Sequence, residues 1–423
     1  MSDIDNINEN IEEKIVTKNV RLNEQVKPKV ISLFSGAGGM DLGFIQAGFE
    51  IIWANDFFKE ATDTYKKNIG DHIVYGDITK IKSDEIPDGA DVVIGGFPCQ
   101  GFSVANNKRS MEDKRNFLYK EMLRIIQDKQ PKYFVAENVK GILSIENGKV
   151  IEMILKDFKE LGYSVNYKLL NAAEYGIPQL RERVIIIGNR IGKENSYPKK
   201  THYIDTPIEN LLPPVSTRET IDFLSNVKLS NNPIKVDDNR IIYNHIASEN
   251  VADTFWGRKF EVNQHDICDY LKYWRDKAGL TTKKVDEHFG YKYTAGHWFR
   301  KDNNSGSIPK PDDWWELKKI LGFDDKYDQA VTTLVEKEIK FEQSLRITNW
   351  DRPSDTITAT SPEIHINKTR RLSVRECALI QTFPLNFVFT GSLNRMYTQV
   401  GNAVPVMLAK LIATEIHKKL EED

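Results

Sequence analysis

From Lys29 to about Arg190, short apolar runs alternate with amphipathic segments, and this alternation constrains the fold more than any single motif. Val30-Ile31-Ser32-Leu33-Phe34 reads as a strand, followed by a glycine-rich turn and a helix through Ala47. Glu50 to Ala54 and His72 to Tyr75 read as strands flanking a helix over Lys59 to Asn68. Val92 to Ile94 and Tyr133 to Ala136 are further strands, separated by a segment, Phe117 to Ile126, whose apolar residues recur at helical spacing. A helix over Val150 to Leu161 and strands over Val165 to Leu169 and Val184 to Ile187 complete the series. Strands and helices in strict alternation predict an α/β fold built on a doubly wound, mostly parallel sheet. Ligands of such sheets bind at the carboxyl ends of the strands.

The chain has 423 residues, enough for two or three domains. Its formal net charge of -2 sets up no global field toward nucleic acid, so any basic surface must be local. Three cysteines, at 99, 268 and 377, with no CxxC or Cys/His spacing suited to zinc, argue against a disulfide scaffold or a metal site and for a reducing compartment, the cytoplasm. The first 27 residues are polar and lack the apolar centre of a signal peptide, so they read as a flexible tail. No apolar run is long enough to span a bilayer. Past Arg190 the strand–helix rhythm stops. Residues 28–190 therefore form one domain, 191–395 a smaller, irregular second one, and 396–423 a closing segment with an apolar helix from Val404 to Leu420.

Three strand ends carry residues suited to an adenosine group. Phe34-Ser35-Gly36-Ala37-Gly38-Gly39 makes a tight turn that presents backbone amides at a helix N-terminus. Asp56 stands about twenty residues on, where an acid commonly accepts ribose hydroxyls. Asp77 ends the third strand and is placed to accept from an exocyclic amine. Each acid alone is equally well a strand-end or capping carboxylate. The fourth strand runs into Gly95-Gly96-Phe97-Pro98-Cys99-Gln100-Gly101-Phe102-Ser103, which puts a thiol at a ligand-binding edge. Glu137-Asn138-Val139 ends the neighbouring fifth strand, and Gln179-Leu180-Arg181-Glu182-Arg183 precedes the last.

Taken in order, FSGAGG, PCQ, ENV, QLRER, RECALIQTFP and GNAVP make the chain resemble the DNA (cytosine-5)-methyltransferases of bacterial restriction–modification systems, over about Lys29 to Arg190 and Asp351 to Lys418. The resemblance implies transfer of a methyl group from S-adenosylmethionine to carbon 5 of cytosine. Carbon 5 is too weak a nucleophile unaided. A Cys99 thiolate adding to carbon 6 would place electron density there. Glu137, in its acid form, would donate to ring nitrogen 3. Arg183 would contact the ring carbonyl oxygen, while Arg181 would support the loop or the DNA backbone. The resemblance places Phe34, Gly36, Gly38, Gly39, Asp56, Phe57, Asp77, Ile78, Pro98, Leu118, Asn402 and Ala403 around the cofactor, the last two in a motif whose helix packs back onto the first strand region. The target must be flipped out of the stack. The polar segment from Gln100 to Arg115, with Ser103 among its DNA contacts, would close over it.

Residues 191 to about 345 fall where the family keeps its variable target-recognition region. Within it, Leu271, Trp274, Leu280, Val285 and Phe289 suit a helix-turn-helix over 264–300, with Thr281 as a cap and Gly290 in the turn. Lys292, His297 and Arg300 would then face a DNA groove. A compact helical insert whose aromatics, Trp314 and Trp315 included, only fill a core explains the same pattern. Cys377 and Cys268 read as structural. The expected partners are double-stranded DNA and, functionally, a cognate endonuclease, with the chain acting as a monomer. Against this stand a tRNA cytosine-5 methyltransferase, a catalytically inactive DNA-binding regulator and a nicotinamide dehydrogenase. The long insert, the intact Cys99, Glu137 and Arg183, and the PCQ and ENV motifs argue against each in turn.

Overall fold

A computed structural model describes residues 27–98, 118–237, 240–248, 264–290, 311–334, 346–360 and 362–422. Seven strands form one sheet: β1 (Lys29–Leu33), β2 (Glu50–Asp56), β3 (Ile73–Tyr75), β4 (Val92–Gly95), β5 (Tyr133–Val139), β6 (Ser164–Asn171) and β7 (Glu182–Asn189), in the order β3-β2-β1-β4-β5-β7-β6. β1 pairs in parallel with both β2 and β4. The strand order therefore reverses between β1 and β4, where open sheets of this kind bind ligands.

Side chains alternate between two cores. Val30, Val92, Ile94, Val135, Ile185 and Ile187 point to one face, and Ile31, Val93, Phe134, Val184 and Ile186 to the other. Burial on both faces explains why these strands read as unbroken apolar runs. Helices α1 (Gly39–Gln46) and α2 (Lys59–Asn68) follow β1 and β2, while α3 (Leu118–Lys129) and α4 (Lys149–Glu160) contribute Met122, Ile126, Ile154 and Phe158 to the second core.

β7 is antiparallel to both neighbours. Its reversed direction carries the start of the strand to the edge where the parallel strands end, so Arg183 lies opposite Val139. Two motifs more than forty residues apart thereby share one edge.

Beyond the sheet come α5 (Thr217–Ile221), a two-stranded ribbon of β8 (Ile234–Lys235) and β9 (Ile241–Ile242), and the helices α6 (Gln264–Lys277), α7 (Thr282–Phe289), α8 (Pro311–Leu321) and α9 (Asp328–Leu334). α6 to α9 enclose a small core of their own around Ile267, Leu271, Val285, Trp314, Leu317 and Val331. Trp314 is fully buried there, but Trp315, expected beside it, is 42% exposed. Consecutive helical positions point about 100° apart, so one tryptophan of the pair must leave the core face. Thr281 caps α7 by accepting from the Lys284 amide (3.3 Å), and Gly290 closes it at φ 71°.

The last helices are α10 (Val374–Ile380), α11 (Leu393–Asn402) and α12 (Val406–Glu421). α12 lies directly on α1: a Cβ at Gly43 would meet Ala409 Cβ at 2.5 Å and Val406 O at 2.6 Å. A third core joins Ala37, at the glycine turn, to Ile221, Ile357, Leu372, Cys377, Phe383 and Val406. Segments on both sides of residue 395, the expected boundary, thus pack around the start of α1. Cys377 is fully buried in this core, and burial pushes its thiol well up. Among the described residues no helix is long and apolar enough to cross a membrane.

Candidate active site

The glycine turn is built for a close approach, though not by all three glycines alike. Phe34 (φ 56°), Gly36 (φ 55°) and Gly38 (φ 88°) all have left-handed backbone. A Cβ at Gly36 would meet nothing within 4 Å, so this face of the turn is open. At Gly38 it would meet Ile69 and Tyr65, and at Gly39 the Val404 carbonyl at 2.7 Å. The space beside Gly38 and Gly39 is filled by the protein itself, so what these two offer a ligand is backbone.

Two neighbouring strand ends are tied to this turn. Asp56 is buried and accepts from the Gly36 amide through Oδ2 and from the Phe58 amide through Oδ1, both at 2.8 Å. Burial pushes its carboxyl up, and those amides pull it back. Each oxygen keeps a second lone pair for a hydroxyl. Phe57, beside it, is 69% exposed and presents a bare ring. Asn55, which the sequence reading passed over, donates to Val74 O (2.9 Å) and Gly76 O (3.0 Å), clamping the end of β2 to that of β3. Asp77 accepts from the Thr79 amide (3.1 Å) and hydroxyl (2.8 Å) and so acts as a cap here. Ile78, expected at the cofactor, has its side chain in the second core and its carbonyl bonded by Arg124, so any face it offers a ligand is backbone alone. Leu118 opens α3 half-buried against that core. An open glycine turn, a buried acid and an exposed ring fit an adenosine-bearing cofactor.

At the ends of β4, β5 and β7 the second half of the site assembles. Arg183 Nε lies 2.7 Å from Glu137 Oε1, both side chains mostly buried. The Nε–H makes no aligned hydrogen bond across this contact. Arg183 Nη1 donates to the Glu182 carbonyl at 2.8 Å. Gly96 faces Glu137: a Cβ there would stand 3.0 Å from Oε2. Asn138 donates to the Phe97 carbonyl at 2.9 Å, and its own Oδ1 accepts from the Val139 amide at 2.9 Å. The end of β5 thus holds the segment Gly96-Phe97-Pro98. Cys99, Gln100, Ser103 and Arg115 lie outside the described residues, as do Lys292, His297 and Arg300; nothing is described of the Cys268 side chain.

Arg181 is not at a DNA-facing surface. It is fully buried, donating through Nη1 to Ile357 O (3.0 Å) and through Nη2 to Gly401 O (2.8 Å) and Ala403 O (2.9 Å). Burial, then the charge of Arg183, pulls its guanidinium well below the ordinary range, with Glu137 opposing. Gln179 continues the network: it donates to Gln381 Oε1 (2.9 Å) and accepts from the Ile357 amide (3.0 Å). Gln381 donates in turn to Val400 O and Ala403 O. QLRER, the IQTFP segment and GNAVP are therefore one buried hydrogen-bonded unit. Asn402 is exposed beside it, and Ala403 enters through its carbonyl. The amide and guanidinium side chains inside these motifs were the available signal. Among the described residues no group of His, Cys, Asp and Glu is placed to hold a metal ion.

This sheet, with its glycine turn at the strand-order reversal, defines the class of S-adenosylmethionine-dependent methyltransferases. The profile of C-5 cytosine-specific DNA methylase matches residues 28–418. Type II methyltransferase M.NgoFVII of Neisseria gonorrhoeae is 34% identical over 418 residues, covering 94% of this chain and 92% of its own. M.FnuDI of Fusobacterium nucleatum is 34% identical over 419 residues, 93% of this chain and 95% of its own. An E. coli prophage-encoded protein described as a DNA modification methyltransferase shares the fold, with a TM-score of 0.55 at 21% identity over 93% of this chain and 100% of that one. The chain belongs to the C-5 cytosine-specific DNA methylases. It transfers a methyl group from S-adenosylmethionine to carbon 5 of cytosine in DNA.

Proposed function

We propose that this chain methylates a flipped-out cytosine within a short specific sequence of duplex DNA, through a covalent Cys99 adduct. It acts as a cytoplasmic monomer and shields that sequence from a cognate endonuclease. The observation that carries the chemistry is the Glu137–Arg183 contact of 2.7 Å, facing Gly96 three residues before Cys99.

Bound S-adenosylmethionine supplies a methyl group on a sulfonium. Gly36, Asp56 and Phe57 are the residues that would hold its nucleoside. The Cys99 thiolate adds to carbon 6 of the base. The electron pair displaced from the ring moves toward nitrogen 3, where Glu137, in its acid form, delivers a proton. Arg183 faces the ring carbonyl oxygen and keeps the Glu137 carboxyl at the strand end. Carbon 5 would take the methyl group, a base would remove the carbon 5 proton, the thiolate would be expelled as the ring double bond re-forms, and the nitrogen 3 proton would return to Glu137. Asn138 acts on Cys99 through the Phe97 carbonyl and is a positioning residue. The helices around Trp314 fall in the region that would read the target, through the segment from Lys292 to Arg300.

Bisulfite sequencing of DNA from a methylation-free host expressing the chain tests this reading. Protected cytosines in one recurring context, absent with Cys99→Ala, are expected. Protection in host tRNA and not in DNA would overturn it, as would methylation retained by the variant.

A further inference from the structure

Hydrogen bonds run from the glycine turn across three neighbouring strand ends. The Gly36 amide donates to the Asp56 side chain at 2.8 Å, and the Gly76 amide to the Asp56 carbonyl at 3.0 Å. Asn55 donates back to the Gly76 carbonyl at 3.0 Å. The segment from Gly76 to Ile81 therefore stands beside the end of β2, where Phe57 exposes its ring. A ring stacks on any base. Choosing among bases needs hydrogen-bonding groups held in fixed places beside it. Asp77 offers one: both of its bonds to Thr79 use Oδ1, which leaves Oδ2 of this exposed carboxylate for a donor from outside.

The residues after Asp77 form one 3-10 turn, Ile78–Lys80, a form whose own hydrogen bonds are poorly aligned. Arg124, in the middle of α3, holds this turn from the core side. Its Nη2 donates to the Ile78 carbonyl (3.2 Å) and the Ile81 carbonyl (3.0 Å), and its Nη1 to the Ser83 hydroxyl (2.7 Å). Glu121, one turn earlier on the same helix, accepts from Nε (2.9 Å) and Nη2 (2.7 Å) and fixes the plane of the guanidinium. The Ile78 side chain shares the second core with Met122 and Ile125 of α3. Both ends of the turn are thus tied to a helix by one planar fork, which an ammonium group does not reproduce.

We propose that Arg124 is a positioning residue for the methyl donor: by holding the turn behind Asp77 it sets the selection of adenine through the 6-amino group. This rests on the nucleoside site of Gly36, Asp56 and Phe57 described under the proposed function, and deepens it. Arg124 itself touches only protein and acts through Asp77.

Two ligands that differ only at the purine edge test this. S-inosylhomocysteine carries a carbonyl oxygen where S-adenosylhomocysteine has the 6-amino group. Dissociation constants of both are measured by calorimetry on the full chain. Wild type should prefer the adenine ligand by about 30-fold or more. Arg124→Met, which keeps the stem and removes the fork, should weaken the adenine ligand about tenfold and the inosine ligand less than about twofold. In methylation assays its KM for S-adenosylmethionine should rise about tenfold, with kcat within about twofold of wild type. Arg124→Lys, which keeps the charge, should fall between, and it carries the comparison if melting curves show the methionine variant unfolded. Equal weakening of both ligands in a folded variant would make Arg124 structural and overturn the proposal, and so would an unchanged preference. Asp77→Asn, whose amide presents either a donor or an acceptor, should lose most of the preference; retention of it would overturn the part given to Asp77. Wild-type chain that binds neither ligand would overturn the underlying reading of the nucleoside site.

Discussion

The Asn138 carboxamide donates to the Phe97 carbonyl at 2.9 Å, and this bond joins the end of β5 to the segment that leads into Cys99. Both groups are buried. Asn138→Ala leaves the carbonyl without its donor, a loss of roughly 1–3 kcal/mol, and lets the segment drift from Glu137. Single-turnover methylation should slow by about 10- to 100-fold, with S-adenosylmethionine affinity kept, because the cofactor half of the site lies on other strands.

Gly96→Ala probes the facing contact. Its Cβ would stand 3.0 Å from Glu137 Oε2, close enough to push the carboxylate toward Arg183 or off the base. The expected outcome is a methylation rate reduced by about tenfold or more with a melting temperature close to wild type. Gly43→Ala is the contrast. There the new methyl meets backbone of α12 at 2.6 Å, which cannot give way, so stability should fall first. Melting curves and rates on the two variants separate the cases.

Asp41→Asn, at a fully buried carboxylate in the first turn of α1, carries an expectation in stability against pH. The folded-state pKa of about 6 lies above the ordinary 3.8. The stability Asp41 contributes is therefore fully present below about pH 4 and is lost as pH rises through 6. Above that, the folded chain holds a buried charge at a cost of about 3 kcal/mol, from roughly two pKa units. The cofactor-free asparagine variant should match wild type near pH 4 and melt higher near pH 8. A melting difference that stays constant with pH would contradict this.

Arg370 and Glu376 make a buried bidentate pair, 2.7 and 2.8 Å, at the capped start of α10. Glu376 is fully buried and also accepts from the Ser373 amide. Arg370→Met strands that carboxylate and should cost roughly 3–5 kcal/mol in urea unfolding. Arg370→Met with Glu376→Gln should recover part of it. A double variant no better than the single one would show that the pair adds more than charge balance.

The elements and the chemistry-bearing motifs could be read along the chain because they obey local rules. Strands buried on both faces leave unbroken apolar runs, and turns at strand ends leave glycines and acids. The two left-handed glycines at Gly36 and Gly38 were visible as a turn; that one faces open space and the other Tyr65 was not, since it depends on a helix twenty-odd residues away. The same holds for Trp315, whose neighbour Trp314 took the core-facing position of the pair.

Sequence by itself set a glycine turn, two acids and Glu137 at the ends of strands. Strand–helix alternation makes successive strands parallel, and the carboxyl ends of parallel strands share one edge. Tertiary structure alone decided what those motifs hold. The antiparallel course of β7 set Arg183 against Glu137, burial made Arg181, expected to support the loop or the DNA backbone, a tie between Ile357, Gly401 and Ala403, and close packing of α12 on Gly43 returned the end of the chain to its beginning. Each depends on which surfaces meet across long stretches of chain, and burial and hydrogen-bond partners exist only once they have met.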